Sequence, residues 1–177
     1  VYGGTMHNKV VYRAAKAALQ ANVPTLRFNF RGVHKSEGEF DEARGEQDDV
    51  RAALDELEGR YPKTSICLMG FSFGAGVGLA VGAADARVAA LAGLGVPTRS
   101  MDFNFLRAAR QPKLIVQGTR DEHGPRAQVQ SLFDSLAEPK RLVWVEGADH
   151  FFTGKLDEAQ SAVRDFVEEW LRANAAG

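Results

Sequence analysis

Five residues, Gly70-Phe71-Ser72-Phe73-Gly74, stand between a short apolar run, Thr64 to Met69, and a stretch of small residues that carries Ala75, Val77, Leu79, Ala80 and Val81. The run reads as a buried strand around Ile66, Cys67 and Leu68, and the small-residue stretch as a buried helix. Joining the two through one serine demands a very tight turn. That serine must take strained backbone angles, so the residues two positions to either side have to be glycine or similarly small. The turn lifts the Ser72 hydroxyl clear of the sheet edge, and the amide of Phe73, with the helix N-terminus, points toward any anion forming beside it. With 18 glycines in 177 residues the pentapeptide alone is a weak signal. Its two flanks carry the inference.

The rest of the chain alternates helix and strand. Asn8 to Ala21 is amphipathic, with Val11, Ala14, Ala15, Ala18 and Leu19 at helical spacing, and Val23-Pro24 ends it before a strand predicted over Thr25 to Phe30. Gly45 to Gly59 reads as a helix with Val50, Ala53, Leu54 and Leu57 on one face, its acids Asp48, Asp49, Asp55 and Glu56 forming a solvated opposite face. Further strands are expected over Arg87 to Gly95, Lys113 to Gly118 and Arg141 to Val145, with helices over Pro125 to Leu136 and Lys155 to Ala173. This order predicts the α/β class: a three-layer α/β/α sandwich around a mostly parallel, doubly wound sheet, as one domain over residues 1–177.

A reactive serine needs a base, and the base needs an orienting carboxylate. Parallel strands deliver their following loops to one edge, so the loops after the later strands are where to look. The loop Thr119 to Pro125 offers Asp121 as the acid, and the loop Glu146 to Phe152 offers His150 as the base. Glu122 is a second acid in the first loop. Asp149 adjoins His150, and adjacent side chains diverge, which makes it a turn residue. His123 precedes the last strand and His7 precedes the first helix, whereas His34 follows the Leu26 to Phe30 segment near the same edge and is the other candidate base.

Composition removes several classes. The net charge is −1, so nothing marks a nucleic-acid surface, and no apolar stretch is long enough to cross a bilayer. The single Cys67 cannot form an internal disulfide; it reads as a small buried hydrophobe and fits a reducing cytoplasm. The four histidines are scattered and no C-x-x-C or H-E-x-x-H spacing occurs, so no metal site is expected.

Taken with Gly3 to Val11, Leu26 to Val33, Lys35-Ser36-Glu37-Gly38 and Ala148 to Phe152, the motif around Ser72 resembles the α/β-hydrolase superfamily, in particular its small lidless members similar to dienelactone hydrolases and short bacterial serine esterases. The resemblance implies that Ser72, Asp121 and His150 are nucleophile, acid and base, and that the reaction is acyl transfer without a cofactor. Relatives commonly carry glycine where this chain has His34, and an apolar residue where it has His123-Gly124; both departures affect the pocket rim. Members of the group also carry strands before the Gly3-Gly4 segment. The chain as it starts at Val1 is therefore expected to be a fragment, with a second oxyanion donor supplied near Val1 and Tyr2 or missing, and with a sheet edge prone to self-association into a homo-oligomer.

The connection between Gly95 and Lys113, about sixteen residues, is too short for a helical cap. An open site is expected, lined by Phe71, Met101, Phe103 and Phe151, while Phe105, Leu106 and Phe152 are equally suited to the core. Such a pocket favours small-molecule esters of short acyl groups. The alternatives are a non-catalytic scaffold, or a thioesterase, peptidase or acyltransferase of the same fold.

Overall fold

The computed structural model describes residues 4–175. Helix α1 (Lys9–Gln20) opens where the Asn8 side chain accepts the Val10 N–H at 2.8 Å, a cap that satisfies one of the free amides of the first turn. Helix α2 (Gly45–Arg60) precedes strand β1 (Ile66–Phe71), which runs through Ser72 into α3 (Phe73–Ala84). Then follow β2 (Val88–Leu94), a short 3-10 turn (Asn104–Arg107), β3 (Lys113–Gly118), α4 (Arg126–Ser135), β4 (Lys140–Val145) and α5 (Leu156–Ala175).

The four strands are parallel and lie in chain order, β1-β2-β3-β4. Their register brings Phe71 level with Leu94, Leu94 with Val116, and Gly118 with Val145, so the carboxyl ends form one edge. Successive strand residues face opposite layers. Ala90, Ala92, Leu94, Leu114 and Val116 join Val10, Ala14 and Ala17 of α1 and Val163, Phe166 and Val167 of α5. Leu91 and Ile115 turn the other way, toward Val50 and Leu54 of α2, Leu79 of α3 and Val129 of α4. The architecture is the three-layer α/β/α sandwich expected from the alternation. No helix among the described residues is long and apolar enough to cross a membrane.

Four local expectations are corrected. Thr25 to Phe30 forms no ladder: Phe28 and Phe30 pack against the core, but no strand among the described residues pairs with the segment. Leu19 is 57 % exposed, because the buried stripe of α1 runs through Val10, Ala14, Ala17 and Ala18 instead. On the acidic face of α2, Asp48, Asp55 and Glu56 are exposed as expected, and Asp49 is the departure. Asp49 takes the Arg31 guanidinium at 2.8 Å and the Arg31 N–H at 2.9 Å, and Asp55 takes Arg87 at 2.6 Å. Cys67 is half-buried, on a strand that among the described residues pairs with β2 alone, and desolvation still pushes its thiol up to about 12.

Candidate active site

Ser72 sits at φ 53°, ψ −121° between the end of β1 and the start of α3. A side chain at Gly70 would collide with the Gly74 carbonyl oxygen, which is the steric requirement of so tight a turn. The Ser72 N–H donates to Leu94 O at 3.0 Å, tying the turn to β2, and Ser72 O accepts from Ala75 and Gly76 at 2.9 and 3.2 Å. Phe73 is the first residue of α3. Its N–H therefore belongs to the helix turn that has no internal acceptors, at the positive end of the helix dipole.

Two loops bring partners to the hydroxyl. His150 Nε2 lies 2.8 Å from Ser72 Oγ, and His150 Nδ1 lies 2.8 Å from Asp121 Oδ2. The Asp121 side chain is 0 % exposed and that of His150 9 %. An ionised carboxylate only accepts, so Nδ1 carries the proton and donates to Asp121, which leaves Nε2 as acceptor for the serine hydroxyl. The other carboxylate oxygen, Oδ1, accepts the N–H of His123 at 2.8 Å and of Gly124 at 3.3 Å. Such an arrangement can move the Ser72 proton to Nε2 and hold the resulting imidazolium against Asp121.

The rivals fall elsewhere. His34 meets the His7 ring edge-on at 6.3 Å. Asp149 closes the turn before α5, accepting N–H groups from Phe151 and Thr153 at 3.0 and 2.9 Å; chiefly the Thr153 N–H holds its carboxyl below the usual range. Glu122 is exposed. His123 lies against His150, with ring centroids 4.4 Å apart.

The aromatic residues separate into two groups. Phe71 packs on His150 with centroids 5.0 Å apart, and Phe151, 54 % exposed, stands edge-on to the same imidazole at 5.3 Å. With Arg120, His123 and His150, Phe151 lines a recess of about 150 Å³. Met101 and Phe103 line a separate cavity of about 370 Å³ against α4 that none of Ser72, Asp121 and His150 borders. Phe103 is 2 % exposed, and Met101 rests on Gly76, where any side chain would displace its thioether. Phe152 and Leu106 are core residues. The Phe73 ring meets Phe30 edge-on and Phe40 at a tilt, with centroids 5.6 and 5.8 Å apart. Tyr2 lies outside the described residues.

Two residues at the site escape sequence reasoning. Gly95, at φ +54°, passes beside the His150 ring, and Gln117 hydrogen-bonds the Asp121 carboxylate at 2.7 Å. The only signal for Gln117 is a polar side chain within the strand directly after the apolar run Leu114-Ile115-Val116. Among the described residues no cluster of three His, Cys, Asp or Glu side chains is arranged to hold a metal ion.

A family model for the alpha/beta hydrolase domain matches residues 2–173. An uncharacterized protein of Rickettsia prowazekii is 34 % identical over 176 residues, which span 94 % of this chain and 74 % of the relative. Among solved structures, an alpha-beta serine hydrolase homologue from Coxiella burnetii is 39 % identical with a TM-score of 0.84, covering 93 % of this chain and 78 % of its own. A serine hydrolase without a lid from Xanthomonas campestris is 36 % identical with a TM-score of 0.87, covering 96 % of this chain and 77 % of its own.

Proposed function

The chain belongs to the alpha/beta hydrolase family, and from that premise we propose that it is a serine hydrolase cleaving carboxylic esters of small acyl groups through an acyl-enzyme on Ser72. The observation that carries the proposal is the continuous relay from Ser72 Oγ to His150 Nε2 and from His150 Nδ1 to Asp121 Oδ2, each step 2.8 Å. As Oγ attacks the ester carbonyl carbon, Nε2 takes its proton, and Asp121 holds the imidazolium in place. The carbonyl oxygen becomes an oxyanion facing the Phe73 N–H at the start of α3. Collapse of the tetrahedral intermediate breaks the bond to the alcohol, which leaves with the proton from Nε2. Water then attacks the acyl carbon, giving its proton to the same nitrogen, and the acid departs as Oγ is reprotonated.

The small recess of about 150 Å³ beside His150 supports small substrates, with Phe71 and Phe151 as the apolar contacts nearest the base. The lone half-buried cysteine is consistent with work in the cytoplasm. A fluorophosphonate probe tests the proposal directly. Labelling at Ser72, lost in Ser72→Ala and strongly slowed in His150→Ala, is expected, with turnover of short aryl esters exceeding that of matched thioesters and amides. A folded protein that neither labels nor turns over esters refutes it.

A further inference from the structure

We infer that Gln117 is a positioning residue for this site: its side-chain amide fixes the Asp121 carboxylate in the orientation that holds His150. The inference rests on the proposed roles of Ser72, Asp121 and His150. Gln117 lies near the end of β3, a strand buried along its whole length, and is itself 0 % exposed. Burying a primary amide costs free energy unless its hydrogen bonds are made, so its presence in a central strand asks for a reason.

The amide makes three bonds, and they set its orientation. Oε1 accepts the Val96 N–H at 2.8 Å, while Nε2 donates to Asp121 Oδ2 at 2.7 Å and to Gly124 O at 3.3 Å. A peptide N–H can only donate, and a carbonyl or carboxylate oxygen can only accept. The reversed amide would therefore lose all three bonds.

Oδ2 is the oxygen that also receives the His150 Nδ1–H, so Gln117 and His150 share one acceptor while the His123 and Gly124 amides hold the other. Four donors on two oxygens keep the carboxylate from turning about its Cβ–Cγ bond. The second donor on Oδ2 also draws charge from the oxygen facing the imidazole, which tempers how tightly imidazolium is held. Gly124 belongs to the same device. Any side chain there would collide with Val96 O and with the Gln117 amide, so glycine at this position makes room for the glutamine. Gln117 thereby joins the loop after β2 to the loop that carries the acid.

The test compares Gln117→Met, which keeps the length and removes the amide, with Gln117→Glu, which keeps the shape and the acceptor for Val96 but replaces the donor by a carboxylate. Hydrolysis of p-nitrophenyl acetate is measured against pH in the full chain, with the His150 ring titration by NMR and the thermal midpoint in the same samples. Gln117→Met should lose about 10–100-fold in kcat with little change in KM, the worth of a hydrogen bond to a charged group. Its ascending pH limb and its imidazole titration should both move to higher pH, because a carboxylate with one donor fewer binds imidazolium more strongly. In Gln117→Glu two adjacent carboxyl groups share one proton. While that proton is held it restores a donor to Oδ2 and kcat stays near the parent's; as it leaves, a descending limb absent from the parent should appear.

A lower thermal midpoint with parent-like pH profiles and an unmoved His150 titration in either folded variant overturns the inference, since packing alone would do that. Should the parent neither turn over esters nor label at Ser72, the proposed function fails separately. The His150 titration then decides for Gln117 without any need of turnover: displaced supports the positioning role, unmoved refutes it.

Discussion

Gly95 lies beside the imidazole of His150: a Cβ on Gly95 would stand 3.3 Å from both Nδ1 and Cε1 of that ring and 2.9 Å from the ring of Phe71. The glycine also adopts φ +54°, a conformation that residues with side chains reach only at a cost. The loop after β2 thus limits where the His150 ring can sit.

Gly95→Ala should therefore displace the His150 ring and lengthen its 2.8 Å approach to Ser72. Turnover of a short aryl ester is expected to fall about 10-fold, less than the roughly 100-fold associated with a full 1 Å misplacement because the ring need give by only a fraction of that, with a smaller change in KM. Stopped-flow rates and a circular dichroism spectrum on the same sample check it. Parent-like turnover would mean that the ring has room the geometry does not suggest.

Ser72→Ala should reduce kcat by about 10⁴-fold or more while leaving the fold intact. The positive φ of 53° remains a constraint on alanine, so the thermal midpoint should change little and in either direction. Residual hydrolysis equal to the parent's would place the nucleophile elsewhere.

For the base, the parent's activity should rise with pH, since only neutral imidazole can accept the Ser72 proton. His150→Ala should remove that limb. His34→Ala should leave it in place, because His34 meets His7 rather than the relay. The reverse pair of outcomes would exchange the two histidines.

Asp85 offers a test of stability against pH. The hydrogen-bonded Arg87 guanidinium, with bonds of 2.9 and 2.7 Å, holds its carboxyl below the usual range. A carboxyl lowered in the folded state contributes stability above its unfolded value and loses it as pH falls through the folded one. Asp85→Asn should thus lower stability at neutral pH by on the order of 1 kcal/mol, a contribution limited by partial exposure to solvent. The deficit should close in acid, below the ordinary range of an aspartate near 3.9. Urea melts of both proteins at neutral and strongly acidic pH measure it.

What could be read from the chain follows the reach of each signal. The turn at Ser72 and the strand from Lys113 to Gly118 were legible because short-range rules govern them: glycines flanking a serine, an apolar run ended by a loop. The convergence of Ser72, Asp121 and His150 at one edge follows from parallel strand order, which alternation of helices and strands already implies. Thr25 to Phe30 defeated the same reasoning, because a strand is a relation between two backbones and the second one is not visible in β-rich composition. Gln117 and Gly95 were hidden for another reason. A glutamine in a strand or a glycine after one acquires meaning only from what a distant loop places beside it, and nothing local announces Asp121 or His150 as that neighbour.

The order β1-β2-β3-β4 also sets a sequence of events in the life of the chain. Ser72 emerges during synthesis long before His150, which arrives only on the loop that follows the last strand. Until β4 has docked on β3, the hydroxyl lacks its imidazole partner and, on the proposed mechanism, should be no more reactive than an ordinary alcohol. On that mechanism, reaction with a serine-directed probe should therefore report completed folding, readable molecule by molecule in a mixture of finished and unfinished protein.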